Sequence, residues 1–169
     1  MENLEELKTV VVGCGAIGGT LAVQLSENNV DITVVTKYPD LARKIRSEGL
    51  ELRGVEKQRA IKIKAIPSVS DLAGFFDVVL LATKGNDAEE AAKSVLPFLN
   101  QTSVVVTLQN GIIEDRIVIF LVVTELLVLV LSGKLLSLNP ALLRRTLMVF
   151  FISVPLLMVI LFPLSVLTL

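Results

Sequence analysis

Four short clusters in this chain carry residue types that can do chemistry: Gly13-Cys14-Gly15-Ala16-Ile17-Gly18, Thr36-Lys37-Tyr38, Thr83-Lys84 and Gln109-Asn110-Gly111. The first fits G-x-G-x-x-G. That spacing lets a chain turn tightly from a strand into a helix and offer main-chain N–H groups to a phosphate. The three glycines act differently. Gly13 permits the turn, Gly15 leaves room for a pyrophosphate to approach the backbone, and Gly18 lets the helix pack close to the strand. Cys14, Ala16 and Ile17 fill the variable positions of this loop, and nothing in the neighbouring sequence marks Cys14 as a reactive thiolate. The plainer alternative is a tight turn with no ligand. The strand-like run before the loop and the helix-like run after it favour the dinucleotide reading.

The second cluster bears on which dinucleotide. An NAD site usually places Asp or Glu at the end of the second strand, about 20 residues after the loop, to hold the ribose hydroxyls. This chain has Thr36 and Lys37 there. A hydroxyl and a cation suit a 2′-phosphate, which favours NADP, and Tyr38 is placed to lie against an adenine. The alternative is that Lys37 is a solvated loop lysine. Lys84 and Asn110 end two later strands, where ligands collect in open α/β sheets. Lys84 can attract a carboxylate or a phosphate, or be an ordinary surface charge at a helix entry. Asn110 offers both donor and acceptor to a ribose or a carbonyl, or belongs to a simple Asn-Gly turn.

These clusters need elements to hold them. Leu7–Val12, Val30–Val35, Asp77–Ala82 and Thr102–Leu108 are apolar, β-branched runs that predict buried parallel strands. Between them, TLAVQLSEN predicts one helix. Pro39–Glu48 predicts a second, with proline in its first turn and Gly49 just past its end. DAEEAAKSVLPFL predicts a third, capped by Asn86, with Asp87, Glu89 and Glu90 near its positive end. The alternation in AIKIKAI predicts a strand with one solvated face, paired with LELRG. Strand alternating with helix implies right-handed crossovers and an α/β fold: a Rossmann-like, doubly wound parallel sheet.

Composition narrows the function. At 169 residues the chain is of one-domain length, and its net charge of −1 argues against broad nucleic-acid binding. The absence of His removes the commonest general base and the commonest metal ligand. A single cysteine cannot form an internal disulfide, and Met1–Lys8 is acidic and polar rather than a basic leader, so a cytoplasmic setting is expected.

Taken in order, GCGAIGG, VVTK, LLATKGND and LQNGI resemble the N-terminal half of the ketopantoate reductase (2-dehydropantoate 2-reductase) family, from about Lys8 to Arg116. The resemblance implies reduction of ketopantoate to pantoate by NADPH, on the route to pantothenate and coenzyme A. It implies that Lys37 reads the 2′-phosphate and that Lys84 and Asn110 sit near the nicotinamide ribose and the substrate. The resemblance also implies a helical second half that supplies the general acid; residues 117–169 are not expected to provide it, so no catalytic residue is carried over.

The chain changes character near Arg116. Residues 1–116 are read as an NADP-binding domain. Residues 117–169 form an atypical apolar tail whose only charges are Glu125, Lys134, Arg144 and Arg145. Ile117–Leu131 is short for a membrane span and Thr146–Leu169 is long enough. A membrane hairpin would put its loop lysine and arginines in the cytoplasm and the head on the far side, away from NADPH. A truncated or frameshifted relative of the reductase is therefore the preferred expectation. Membrane association through residues 117–169, with a non-catalytic NADP-binding module as the head, is the alternative.

Overall fold

The computed structural model describes residues 7–52, 59–109, 125–130 and 146–150. In chain order its elements are β1 (Lys8–Val12), α1 (Ala16–Glu27), β2 (Asp31–Val35), α2 (Pro39–Glu48), β3 (Leu50–Leu52), β4 (Arg59–Ile61), β5 (Lys64–Ile66), β6 (Val78–Leu81), α3 (Ala88–Val95), β7 (Val104–Thr107), β8 (Glu125–Val130) and β9 (Thr146–Phe150).

The main sheet runs β5-β2-β1-β6-β7-β8-β9, with every neighbouring pair parallel. The chain steps outward from β1 to β2 to β5, then crosses back to lay β6 on the other side of β1. That reversal makes the carboxyl ends of β1 and β6 the switch point, where an open α/β sheet leaves a crevice.

The apolar strand runs are explained by burial on both faces. Val10, Val11, Val34, Val79, Leu80 and Leu81 are fully buried. Side chains alternate along β1: Val11 faces a core completed by Leu21 and Leu25 of α1 and Ile45 of α2. Val10 and Val12 face a second core with Ala88, Ala92 and Val95 of α3. Each buried Val or Leu contributes about 1.5–3 kcal/mol relative to exposure, and two such layers, one per face, give the doubly wound sheet.

Two local expectations are corrected. AIKIKAI is not one strand. Its first part forms β4, antiparallel to β3 in a separate two-stranded sheet, and its last part forms β5, parallel to β2 at the edge of the main sheet. Period-two alternation is the same for either partner, so the pattern could not reveal the break at Lys62-Ile63. Asn86 does not cap α3: it lies inside a 3₁₀ turn, Gly85–Asp87, and the residue at the cap is Asp87, without a side-chain capping bond. The acidic first turn of α3 is as expected, with Glu89 bonded to Lys93 at 2.9 Å.

Sequence alone leaves the last strands of the sheet unaccounted for. β8 pairs with β7 from Val104 against Glu125 to Thr107 against Val128, and β9 pairs with β8. Apolar runs such as ELLVLV suit a strand buried in a parallel sheet as well as they suit lipid. Among the described residues, no helix is long and apolar enough to cross a membrane. The change of character at Arg116 lies outside the described residues.

Candidate functional site: a glycine-lined cleft at the switch point

The glycine loop lies between β1 and α1. Gly13 has φ +106°, and a Cβ built there would lie 2.7 Å from the carbonyl carbon and oxygen of Ala82, so the loop and the end of β6 are in backbone contact. This is both the left-handed conformation and the close approach that only glycine tolerates. Gly13 N–H donates to the Val35 carbonyl at 3.0 Å, tying the loop to the end of β2 as well. Gly18 is buried in the first turns of α1, where an added Cβ would fall 2.0 Å from the Gly13 carbonyl oxygen.

Gly15 differs from both. Among the described residues, an added Cβ there would meet nothing within 4 Å. Gly15 is the residue before α1 and offers no side-chain cap. The free N–H groups of the helix's first turn therefore open onto unfilled space, the arrangement that accepts an anion.

That space is a cleft of about 610 Å³. It is lined by Gly13, Cys14 and Gly15 from the loop, Thr36, Lys37 and Tyr38 after β2, Pro67-Ser68 after β5, and Thr83, Lys84 and Asp87 after β6. Three of the four sequence clusters thus converge on one cavity. Ala16 and Ile17 do not line it: both are exposed on the first turn of α1, Ile17 at 42%. Asn110 lies outside the described residues.

Thr36 is buried, and its hydroxyl is engaged within the loop. It donates to the Tyr38 carbonyl at 2.8 Å and accepts from the Tyr38 N–H at 3.2 Å, while the Thr36 N–H donates to the Ile66 carbonyl. Thr36 therefore shapes the turn that presents Lys37 and the 64%-exposed Tyr38. Lys37 Nζ lies 3.7 Å from Asp87 Oδ2, a partner on the far wall whose place in the sequence marks it only as an acid near a helix start. Gln109, at the end of β7, is a second residue whose contacts the sequence does not reveal. Its Nε2 donates to the Leu81 carbonyl at 3.1 Å and contacts Thr83 Oγ1 at 3.3 Å, while its Oε1 is buried without a partner among the described residues. Burial pushes the Cys14 thiol up from its ordinary value, so it stays neutral at neutral pH.

A sequence profile for "Ketopantoate reductase PanE/ApbA" matches residues 9–140. The chain belongs to the ketopantoate reductase family. The match runs past Arg116, where the short motifs stop. Among individual proteins, the chain is 36% identical over 129 residues to a glycerol-3-phosphate dehydrogenase [NAD(P)+] of Agrobacterium fabrum, covering 73% of this chain and 38% of that one. It is 32% identical over 107 residues to a 2-dehydropantoate 2-reductase of Mesorhizobium japonicum, covering 63% and 32%. A PanE/ApbA family ketopantoate reductase from Ralstonia eutropha superposes with a TM-score of 0.64 at 26% identity, covering 71% of this chain and 40% of that one. The chain thus spans less than half the length of the family members it matches.

Proposed function

We propose that the cleft holds NADPH and that the chain serves the reduction of a small 2-oxoacid, with ketopantoate as substrate and pantoate as product, in pantothenate and coenzyme A biosynthesis. The observation that carries this reading is the pairing of Gly15, whose missing side chain leaves open space at the start of α1, with Lys37 on the wall of the same cleft. The first suits a diphosphate and the second suits a 2′-phosphate. Family membership supports the substrate class.

Reduction of a ketone needs a hydride at the carbonyl carbon and a proton at the oxygen. A bound nicotinamide dinucleotide supplies the hydride. The chain's own residues bind and orient: the loop N–H groups hold the diphosphate, Lys37 holds the 2′-phosphate, and Lys84 and Asn110 draw the oxoacid and the nicotinamide ribose to the carboxyl ends of β6 and β7. No residue of this chain is assigned as the proton donor. Dependence on NADPH fits a cytoplasmic setting.

The test is titration of the purified chain with NADPH by cofactor fluorescence, followed by addition of ketopantoate while NADPH absorbance is recorded. Saturable binding with ketopantoate-dependent oxidation supports the full reading. Saturable binding without oxidation gives the chain the dinucleotide-holding role alone. Failure to bind either nicotinamide dinucleotide would overturn the proposal.

A further inference from the structure

Among the described residues, one ion pair crosses the cleft. Lys37 follows β2, and Asp87 closes the turn after β6. In the sheet β2 and β6 are not neighbours, because β1 and its glycine loop lie between them. The Lys37 Nζ to Asp87 Oδ2 contact of 3.7 Å therefore bridges two walls over the mouth of the loop, and both residues line the cavity. Their side chains are 77% and 49% exposed. A pair this exposed adds little to the stability of a fold and rearranges easily. Its consequence lies with whatever enters the cleft.

Building on the dinucleotide reading above, we propose that Asp87 is a specificity-determining residue that competes with the 2′-phosphate for Lys37. The lysine ammonium is a compact point charge with three donors. A 2′-phosphate must draw it away from Asp87 or share it, and either lowers the net gain from the phosphate contact. The ribose of the unphosphorylated cofactor carries no charge at that position and meets no such competition. Asp87 therefore brings the affinities for NADPH and NADH closer together than Lys37 alone would. Asp87 sits at the start of α3, and its main-chain N–H donates to the Lys84 carbonyl at 2.9 Å, which fixes the turn that carries the carboxylate.

The experiment titrates the full chain and the variants Asp87→Asn, Lys37→Met and the double variant with NADPH and with NADH, at low and moderate salt. Asp87→Asn is expected to tighten NADPH by about three- to tenfold at low salt and to leave NADH within about twofold. The NADPH gain should shrink at higher salt and in the Lys37→Met background. An unchanged NADPH-to-NADH ratio in Asp87→Asn, or an undiminished gain without Lys37, would overturn the competition while leaving dinucleotide binding intact. Asp87→Ser repeats the measurement should the Asn variant misfold. Wild-type protein that binds neither dinucleotide would overturn the underlying reading and this inference together.

Discussion

Gly18 packs against the carbonyl oxygen of Gly13 so closely that a Cβ on Gly18 would lie 2.0 Å from it. The same Cβ would also press on the Ala82 side chain at 2.8 Å, so α1, β1 and the end of β6 meet at one hydrogen atom's width. Gly18→Ala must push the helix off the sheet. The expected cost is about 3 kcal/mol, the upper end for overpacking, read as a lowered urea midpoint with an unchanged m-value.

Gly15→Ala should behave in the opposite way. Among the described residues its Cβ meets nothing within 4 Å beyond its own neighbours in the chain, so only the change at the helix cap acts on the fold, at about 1 kcal/mol or less. NADPH affinity should nevertheless fall at least about tenfold, because the methyl group would occupy the approach to the first-turn N–H groups. Thermal melts and titrations on one preparation test both halves. A variant that melts early and binds normally would contradict the placement of the diphosphate.

Lys37→Ala is expected to weaken NADPH by about tenfold or more, the scale of a lost charge-assisted hydrogen bond, and to leave NADH nearly unchanged. The wild-type preference should decline as salt is added, since the side chain is 77% exposed and readily screened. Parallel titrations with the two cofactors check this. Equal losses for both would place Lys37 outside the 2′-phosphate site.

Cys14 lines the cleft, and its pKa is raised by burial. A raised acid stays protonated to higher pH, so the pH profile of alkylation by iodoacetamide should be displaced upward from that of a free cysteine. Because the folded state holds the proton more tightly than the unfolded chain, this group's contribution to stability is fully present below the unfolded pKa. It declines as pH rises through the folded value. NADPH should slow alkylation further by covering the loop. Rates measured across pH, with and without cofactor, decide the matter.

The contrast between Lys37 and Asp87 marks the limit of what residue order conveys. Lys37 was legible because its place at the end of a β-branched run, a fixed distance after the glycine loop, is a local pattern. Asp87 was legible only as an acid near a helix start. Nothing local says that the turn after β6 faces the turn after β2, because β1 must first be laid between them. The split of AIKIKAI was hidden for a related reason: strand alternation specifies which side chains face inward but does not name the partner strand. The entry of Glu125–Val130 and Thr146–Phe150 into the sheet was hidden because an apolar run suits lipid and a two-sided core alike.

By itself the sequence determined the glycine loop, the alternation of strand and helix, and the parallel, doubly wound class, since each follows from residue types within a few positions of one another. Only the tertiary structure decided that Gly13 abuts Ala82, that Thr36 is consumed in bracing its own turn, and that Lys37 faces Asp87. Those relations depend on crossovers joining distant segments. Steric contact and charge pairing are set by distance in space, which the order of residues along a chain does not state.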